Sequence, residues 1–384
     1  MQTPNWLTKT GIDLEPVNVE TIDIRLVRLP LRDPFETSFG RIDSRLIFLV
    51  CVSGEGLNGW GEVVASEQPR YSYETVGTAR HVIRDYLAPA MLSRPVAGLG
   101  DLTSRFRPFR GHKMAKAGLE LAYLDLVARA TSQSLSQLIG GVRRKIPVGV
   151  SLGIQPELGK LLENIEHYLA LGYQRIKLKI KPGWDIGVVP EVRRRHPKIL
   201  LSVDANAAYT LEDRVHLKTL DELDLLMIEQ PLDGDDLIDH AKLQSEIGTA
   251  LCLDESITAL RRAEQALDIG SCRIINLKVG RVGGYSEALA IHNACYARGV
   301  PVWCGGMLES GIGRAHNIAL ASLRGFSLPG DISASSRYFV RDLIFPEVKV
   351  AHDGTVEVPT GAGLGFEVDF DYIASNTEAV ERID

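Results

Sequence analysis

A chain of 384 residues has room for two or three domains, or for one barrel with additions, and 45% hydrophobic and 24% charged residues fit an ordinary globular protein. A net charge of −6 gives no electrostatic case for binding nucleic acid or an anionic membrane, and no apolar run reaches the length of a membrane span. Five cysteines (Cys51, Cys252, Cys272, Cys295 and Cys304) are scattered without a CxxC pair, which reads as reduced, buried thiols in a cytoplasmic protein.

Residues 1–18 carry little pattern and read as a loose arm, and Met1 to Glu20 lacks the basic and apolar regions of a signal peptide. Thr21–Leu31 alternates, Arg45–Ser53 is a strong strand, and it turns through Gly54–Gly59 into Trp60–Ala65 as an antiparallel hairpin. Between them Asp33–Arg41 reads as a polar and aromatic loop. Helical periodicity follows over Tyr73–Met91 and Lys113–Thr131. Strands followed by helices make an α+β module, with its boundary placed at residues 1–140.

From Ile146–Gly153 onward the pattern changes. Short apolar runs alternate with helix-like segments, and each run closes on a chargeable residue: Lys179, Asp204, Glu229, Asp254 and Lys278, at intervals of 25, 25, 25 and 24 residues. A strand, a helix and two loops of a parallel barrel occupy about that length. The chemistry of such a barrel gathers where its strands end, so the five residues are expected on one rim. In Gln174–Ile180, Ile176, Leu178 and Ile180 share one face and Lys177 and Lys179 the other, which turns both lysines into the mouth. A Lys-x-Lys alone is usually a half-solvated strand; its place in the series argues otherwise. Val300–Cys304 is the expected seventh strand and Leu328–Asp331 a short eighth, giving a barrel over residues 141–345. His316 reads as a packing or capping histidine. The tail, residues 346–384, has strand-like patches around Gly361–Gly365 and is expected to return to the first module.

Asp204, Glu229 and Asp254 offer only oxygen, which selects Mg²⁺, or Mn²⁺ in its place, over zinc. Three carboxylates together repel without a cation, so a purely structural trio is hard to sustain. Lysines on strands two and six come from opposite sides of the mouth. A planar enolate between them could lose a proton to one and regain it from the other, which covers racemisation, epimerisation and β-elimination.

The ordered set Lys-Leu-Lys179, Val-Asp204-Ala-Asn, Glu229-Gln-Pro, Asp254-Glu-Ser and Leu-Lys278 resembles the enolase superfamily, over nearly the whole chain. Lysines on both sides match its muconate-lactonising subgroup; the mandelate racemase subgroup would need a histidine where Cys304-Gly-Gly stands, and dipeptide epimerases an Asp-x-Asp where Asp331-Ile-Ser333 stands. Pro34–Gly40, Gly305–Gly313 and Arg281 are most similar to the o-succinylbenzoate synthase/N-succinylamino acid racemase family. The resemblance implies an α/β fold: a (β/α)₇β TIM-like barrel with an α+β capping domain, in a homo-oligomer acting on a small carboxylate substrate. It implies Lys179 and Lys278 as the acid/base pair and Asp204, Glu229 and Asp254 as Mg²⁺ ligands. Lys177 is expected to orient the substrate carboxylate, with Phe35, Tyr71, Ser151, Asn206, Arg281, Gly306, Met307 and Leu308 around the substrate. The implied activity is an N-succinylamino acid racemase, with o-succinylbenzoate synthase as companion or alternative; a muconate-type cycloisomerase and a non-catalytic barrel are the other readings. Arg281, three residues past Lys278, is expected to lower the pKa of that lysine, or else to pair with a carboxylate.

Overall fold

The computed structural model describes residues 16–384. Of the arm expected over residues 1–18, residues 1–15 lie outside the described residues, and Val17 is paired with Val96 by hydrogen bonds of 3.0 and 2.8 Å. Strands β1 (Thr21–Thr37), β2 (Gly40–Gly54) and β3 (Leu57–Val63) form an antiparallel meander. The segment read as a loop over Asp33–Arg41 is instead a continued hairpin. Its ladder is irregular between Pro30 and Phe35, where proline offers no N–H, and resumes with Phe35 opposite Ile42 and Thr37 opposite Gly40. The extension carries the hairpin tip to the barrel, where Ile154 N donates to Glu36 O at 2.9 Å and Ser38 Oγ to Asn206 O at 3.3 Å.

The first helical pattern is a run over residues 76–92 with one π-helical turn at Ile83–Leu87. A helix at Leu99–Phe106 was not legible in the sequence. Helix α1 (Lys113–Ala130) is buried around most of its circumference, because it lies between the cap sheet and the barrel. Gly61 in β3 makes the approach possible, since a Cβ there would collide with the carbonyl oxygen of Gly118 in α1.

Seven parallel strands follow in sequential order: β4 (Gly149–Leu152), β5 (Arg175–Lys179), β6 (Leu200–Asp204), β7 (Ile228–Glu229), β8 (Leu251–Leu253), β9 (Ile274–Leu277) and β10 (Val302–Cys304). The eighth position is thinner than the expected strand. Residues 326–330 make only two parallel bridges, Phe326 to Val302 and Gly330 to Val148, yet these join the last strand to the first and close the ring. Ile176, Leu178 and Ile180 are fully buried, as the alternation required, each contributing on the order of 1.5–3 kcal/mol.

Two details differ from expectation. The first residues of the predicted strand Ile146–Gly153 belong instead to a separate strand, Lys145–Pro147, which pairs antiparallel with Thr355–Glu357 of the tail rather than joining the barrel sheet. The return of the tail to the cap is made by Thr377–Ile383, which pairs antiparallel with β1, whereas Gly361–Gly365 forms no strand and contributes one bridge, Gly363 to Ser134. Glycines at 361, 363 and 365 explain the misreading, because two of them adopt positive φ that a strand does not use.

Candidate active site

Strand register sets the site. Lys179 lies beside Asp204, and Asp204 beside Glu229, as lateral partners across β5, β6 and β7. Asp254 follows β8, two residues beyond Cys252, the neighbour of Glu229, and therefore points the same way. Lys278 follows β9. In an eight-membered ring β5 and β9 stand four positions apart, so the two lysines face each other across the mouth.

Lys179 Nζ donates to Asp204 Oδ2 and to Asn206 Oδ1, both at 2.6 Å. Asn206 is itself fixed, its N–H on Asp204 Oδ1 at 3.0 Å and its amide on Glu255 Oε1 at 2.9 Å. Opposite, Lys278 Nζ donates to Asp254 Oδ2 at 2.8 Å and to Tyr71 Oη at 3.1 Å, and lies 4.6 Å from the centre of the Tyr71 ring. Met307 Sδ is 3.5 Å away. Burial alone would lower the pKa of Lys278, but Tyr71, Glu229 and Glu255 outweigh it and hold the ammonium above its ordinary range. The lowering expected from Arg281 is not the net outcome.

Arg281 takes the other course foreseen for it. Its guanidinium pairs with Asp254 Oδ1, donates to Ile257 O at 2.9 Å and Asn276 O at 2.6 Å, and reaches Tyr71 Oη at 3.3 Å. It therefore touches Lys278 through two shared partners, Asp254 and Tyr71.

Lys177 sits deeper. Its three N–H groups meet Asp331 at 2.7 Å, Glu229 at 2.9 Å and Asp204 at 3.2 Å, and its Nζ is 4.8 Å from the centre of the Trp303 ring. An ammonium has three donors and all are engaged, so in this arrangement Lys177 braces carboxylates and has no N–H left for a substrate. Asp331 also bonds Arg175 at 2.5 Å; burial would raise its pKa, but the two cations hold it at about 2. Between the coupled pair Asp204 and Glu229, the lysines favour charge on Asp204, while burial and Asp204 itself push Glu229 upward.

The remaining expected positions surround this centre unevenly. Ser151 is buried beside Lys177 across β4 and β5. Gly306, Met307 and Leu308 follow β10; Leu308 holds a left-handed φ of 58°, and Met307 N donates to Glu309 Oε2 at 2.8 Å. Glu309, bonded also by the Asn317 amide at 3.0 Å, is thus a latch for that loop. Phe35 packs edge-on to Tyr338 at 6.3 Å, over which Arg337 lies before reaching Ser151 O. His316 is buried against Trp60 O, and desolvation lowers its pKa to about 4, as a packing residue requires.

Sequence reasoning missed Glu255, Asn276 and Gln230. Asn276 donates to Glu229 Oε1 at 2.7 Å, and Gln230 Oε1 accepts from Asp254 N at 2.9 Å, which sets the Asp254 loop. Each could have been found by strand alternation or adjacency: Asn276 lies two residues before Lys278, while Gln230 and Glu255 adjoin Glu229 and Asp254.

Among the described residues no three carboxylate, thiol or imidazole side chains converge on one point by themselves; the carboxylates converge on ammonium groups. The donor set nevertheless fits a hard divalent cation. It is all oxygen, two of its members are oriented by Asn206 and Asn276, and Glu255 Oε2 is buried without a hydrogen-bond partner beside it. Burial and then Asp204 raise Glu255 to about 7.

Comparison with known proteins gives the same outline. Residues 160–372 match the family described as enolase C-terminal domain-like, and residues 19–140 the N-terminal domain of mandelate racemase/muconate lactonizing enzyme. An o-succinylbenzoate synthase of Geobacillus stearothermophilus is 53% identical over 92% of this chain and 94% of its own. An N-succinylamino acid racemase of Thermus thermophilus is 47% identical over 93% and 96%. A solved enolase-superfamily member from Listeria innocua superposes with a TM-score of 0.92 at 42% identity, covering 96% of this chain and 99% of the other.

Proposed function

Because the chain belongs to the mandelate racemase/muconate lactonizing enzyme family of the enolase superfamily, we propose that it racemises N-succinylamino acids and also forms o-succinylbenzoate, using Lys179 and Lys278 as bases on opposite faces of the substrate. The observation that carries this reading is the placement of those two ammonium groups on opposed strands, with Asp204, Glu229 and Asp254 between them.

Asp204, Glu229 and Asp254 would hold Mg²⁺, with Mn²⁺ able to replace it. Bound there, the cation supplies positive charge against the anion that develops on the substrate carboxylate as the α-carbon loses its proton. The chain does the rest. The lysine on the side of the α-proton takes it as a neutral amine, a form that a cation held beside it would favour; the planar carbanion stays between the two, and the other lysine, as ammonium, returns a proton to the opposite face. For the dehydration one lysine suffices, taking the α-proton and passing it to the departing hydroxyl, which leaves as water, while the second ammonium stabilises the enolate without titrating. Asn206 keeps Lys179 aimed at the mouth, and Tyr71 and Asp254 do so for Lys278. Lys177 fixes the carboxylate row from below.

Arg281 is our ground for placing racemisation first. By occupying Asp254 Oδ1 it leaves Lys278 only Oδ2, and so bears on the readiness of Lys278 to exchange protons. The 53% identical synthase is the specific reason to keep dehydration as a companion activity. The test is direct: purified protein with Mg²⁺ is offered an N-succinyl-L-amino acid, followed by polarimetry, and the dehydration substrate, followed by absorbance. Turnover of neither substrate removes the proposal.

A further inference from the structure

A cleft of about 910 Å³ runs along α1 of the cap, and the chemistry above does not use it. Its long wall is one stripe of that helix: Lys113, Lys116, Glu120, Leu124 and Val127 follow at steps of three or four residues, with Tyr123 beside Leu124. The short helix Leu99–Phe106 and the turn after it form a second wall, and Tyr285 and Leu289 of the barrel a third. The fourteen residues from Lys113 to Val127 span about 21 Å at 1.5 Å each. Small-molecule sites occupy about 300–1,000 Å³, and the cleft lies within that range. Lys179 and Lys278 take their bonds from other residues, so the cleft is separate from the catalytic mouth.

The stripe is charged at one end and apolar at the other. Lys113 and Lys116 begin it, and Lys116 Nζ donates to Phe109 O, which holds the turn carrying Arg107 and Arg110 against that end. The far end is made of Tyr123, Leu124, Val127 and Leu289, all buried. Among the described residues none of the four cations forms an ion pair, and Arg107, Arg110 and Lys113 make no side-chain hydrogen bond. Burial, and then Lys113, lower the pKa of Lys116, as two ammonium groups without a shared anion should. The acids nearby are spent. Glu120 accepts from Ser286 N at 2.7 Å and from its Oγ at 2.8 Å, and Glu287 accepts from Leu260 N at 2.5 Å. Glu74, which acts on Lys116 through space, accepts from Met114 N at 2.8 Å and Ala115 N at 3.1 Å.

A small anion would leave the apolar end wet, and a neutral chain would leave the cations without a partner. A trough with four cations at one end, whose acids are already bonded, matches an anion that carries an apolar body. We propose that the cleft binds an amphiphilic carboxylate, a free monoanion whose head meets Arg107, Arg110, Lys113 and Lys116 and whose chain lies along α1 toward Val127. From Lys116 to Val127 the helix rises about 16 Å, which sets a chain of medium length. The site is a second one, independent of the reaction at the barrel mouth.

Decanoate is the probe, titrated into the full chain against bound anilinonaphthalene sulfonate, whose fluorescence reports displacement. Decan-1-ol keeps the chain without the charge, and acetate keeps the charge without the chain. Decanoate should bind more tightly than either by about tenfold or more. Arg107 and Arg110 are exposed, so Arg107→Gln/Arg110→Gln leaves the core untouched, and in it the advantage over decan-1-ol should shrink toward parity. An undiminished advantage overturns the proposal. Thr103→Trp fills the trough from the short helix and should remove decanoate binding; a variant that melts with the wild type and binds decanoate equally well contradicts the site, and if it does not fold the arginine pair decides. A saturating N-succinylamino acid should leave decanoate binding unchanged, whereas displacement would place the probe in the catalytic mouth and reject the cleft. Failure of the full chain to bind decanoate rejects it too, whether a second copy or the chain's own first residues cover the trough. Binding is read without turnover, so failure of the proposed function leaves this test in force.

Discussion

The two flanks of the mouth are built differently. Lys179 lies within a strand, in register with Asp204, and its contacts come from β6 and the residues just after it. Lys278 lies past the end of its strand, and its contacts come from three places: Asp254 after β8, Met307 after β10 and Tyr71 from the cap. Arg281 supports that flank from behind and, among the described residues, has no counterpart beside Lys179. The side chains bonded to Lys179 all come from the barrel, and among the described residues the cap reaches that flank only through Ser38 Oγ on Asn206 O, whereas Lys278 is bonded directly by Tyr71 of the cap. Changes at Tyr71 should be felt more on the Lys278 face of the substrate than on the other.

The largest effects fall on both flanks alike. Lys179→Ala and Lys278→Ala should each lower racemisation by about a hundred- to ten-thousand-fold. Removal of divalent metal with EDTA should abolish turnover, with Mg²⁺ or Mn²⁺ restoring it; full activity in the chelated protein would refute the metal assignment. Arg281→Gln comes next and is one-sided. It leaves Asp254 Oδ1 with the Tyr71 hydroxyl and no cation inside a buried network, so racemisation should drop by more than tenfold while dehydration is less affected. Equal losses in both reactions would make Arg281 structural and remove our reason for ranking racemisation first. Tyr71→Phe keeps the ring over Lys278 but removes the hydroxyl bonded to it, which should cost about tenfold, roughly 1.4 kcal/mol, in exchange from the Lys278 side only. A symmetrical loss would erase the distinction between flanks.

The last effect is read on stability and not on rate, at the cap–barrel seam. Glu62 of β3 is buried among Ser310, Gly313, Glu309 and Arg45, and desolvation, then Glu309, raises its pKa to about 8. A carboxyl raised above its unfolded value favours folding most when protonated, so its contribution is present below about 4.5 and is lost as pH rises through about 8. Urea midpoints should fall between pH 6 and pH 9 in wild type and fall less in Glu62→Gln. An identical slope in the two proteins would mean that Glu62 does not titrate in this range.

Much of this was legible in the chain because barrels repeat. The near-25-residue spacing located Lys179, Asp204, Glu229, Asp254 and Lys278 on one rim, since each closes an apolar run and strand ends share an edge. The α+β cap was visible for a similar reason, as alternation and helical periodicity are local, but the return of the tail was expected from Gly361–Gly365 and is made by Thr377–Ile383 instead. What escaped is decided by partners distant in sequence. Asp33–Arg41 looked like a loop because Pro30 breaks the ladder, and only its pairing with the start of β2 makes it a strand. The weak eighth strand is held by backbone bridges to neighbours and not by its own apolar pattern. Lys177 could be placed in the mouth by alternation, but its engagement with Asp331 joins residues 154 positions apart and left no local trace. Arg45 looked like any polar residue in a strand, and its burial without an anion is a property of the packed cap.

The claim that two lysines serve opposite faces is tested most directly by exchange of the α-proton in D₂O. Each enantiomer of an N-succinylamino acid is incubated with Lys179→Ala and with Lys278→Ala, and deuterium incorporation is followed by NMR. We expect each variant to retain exchange with one enantiomer through the lysine that remains, and the two variants to differ in which enantiomer that is. Exchange of the same enantiomer by both variants, or wild-type racemisation by either, would contradict the account.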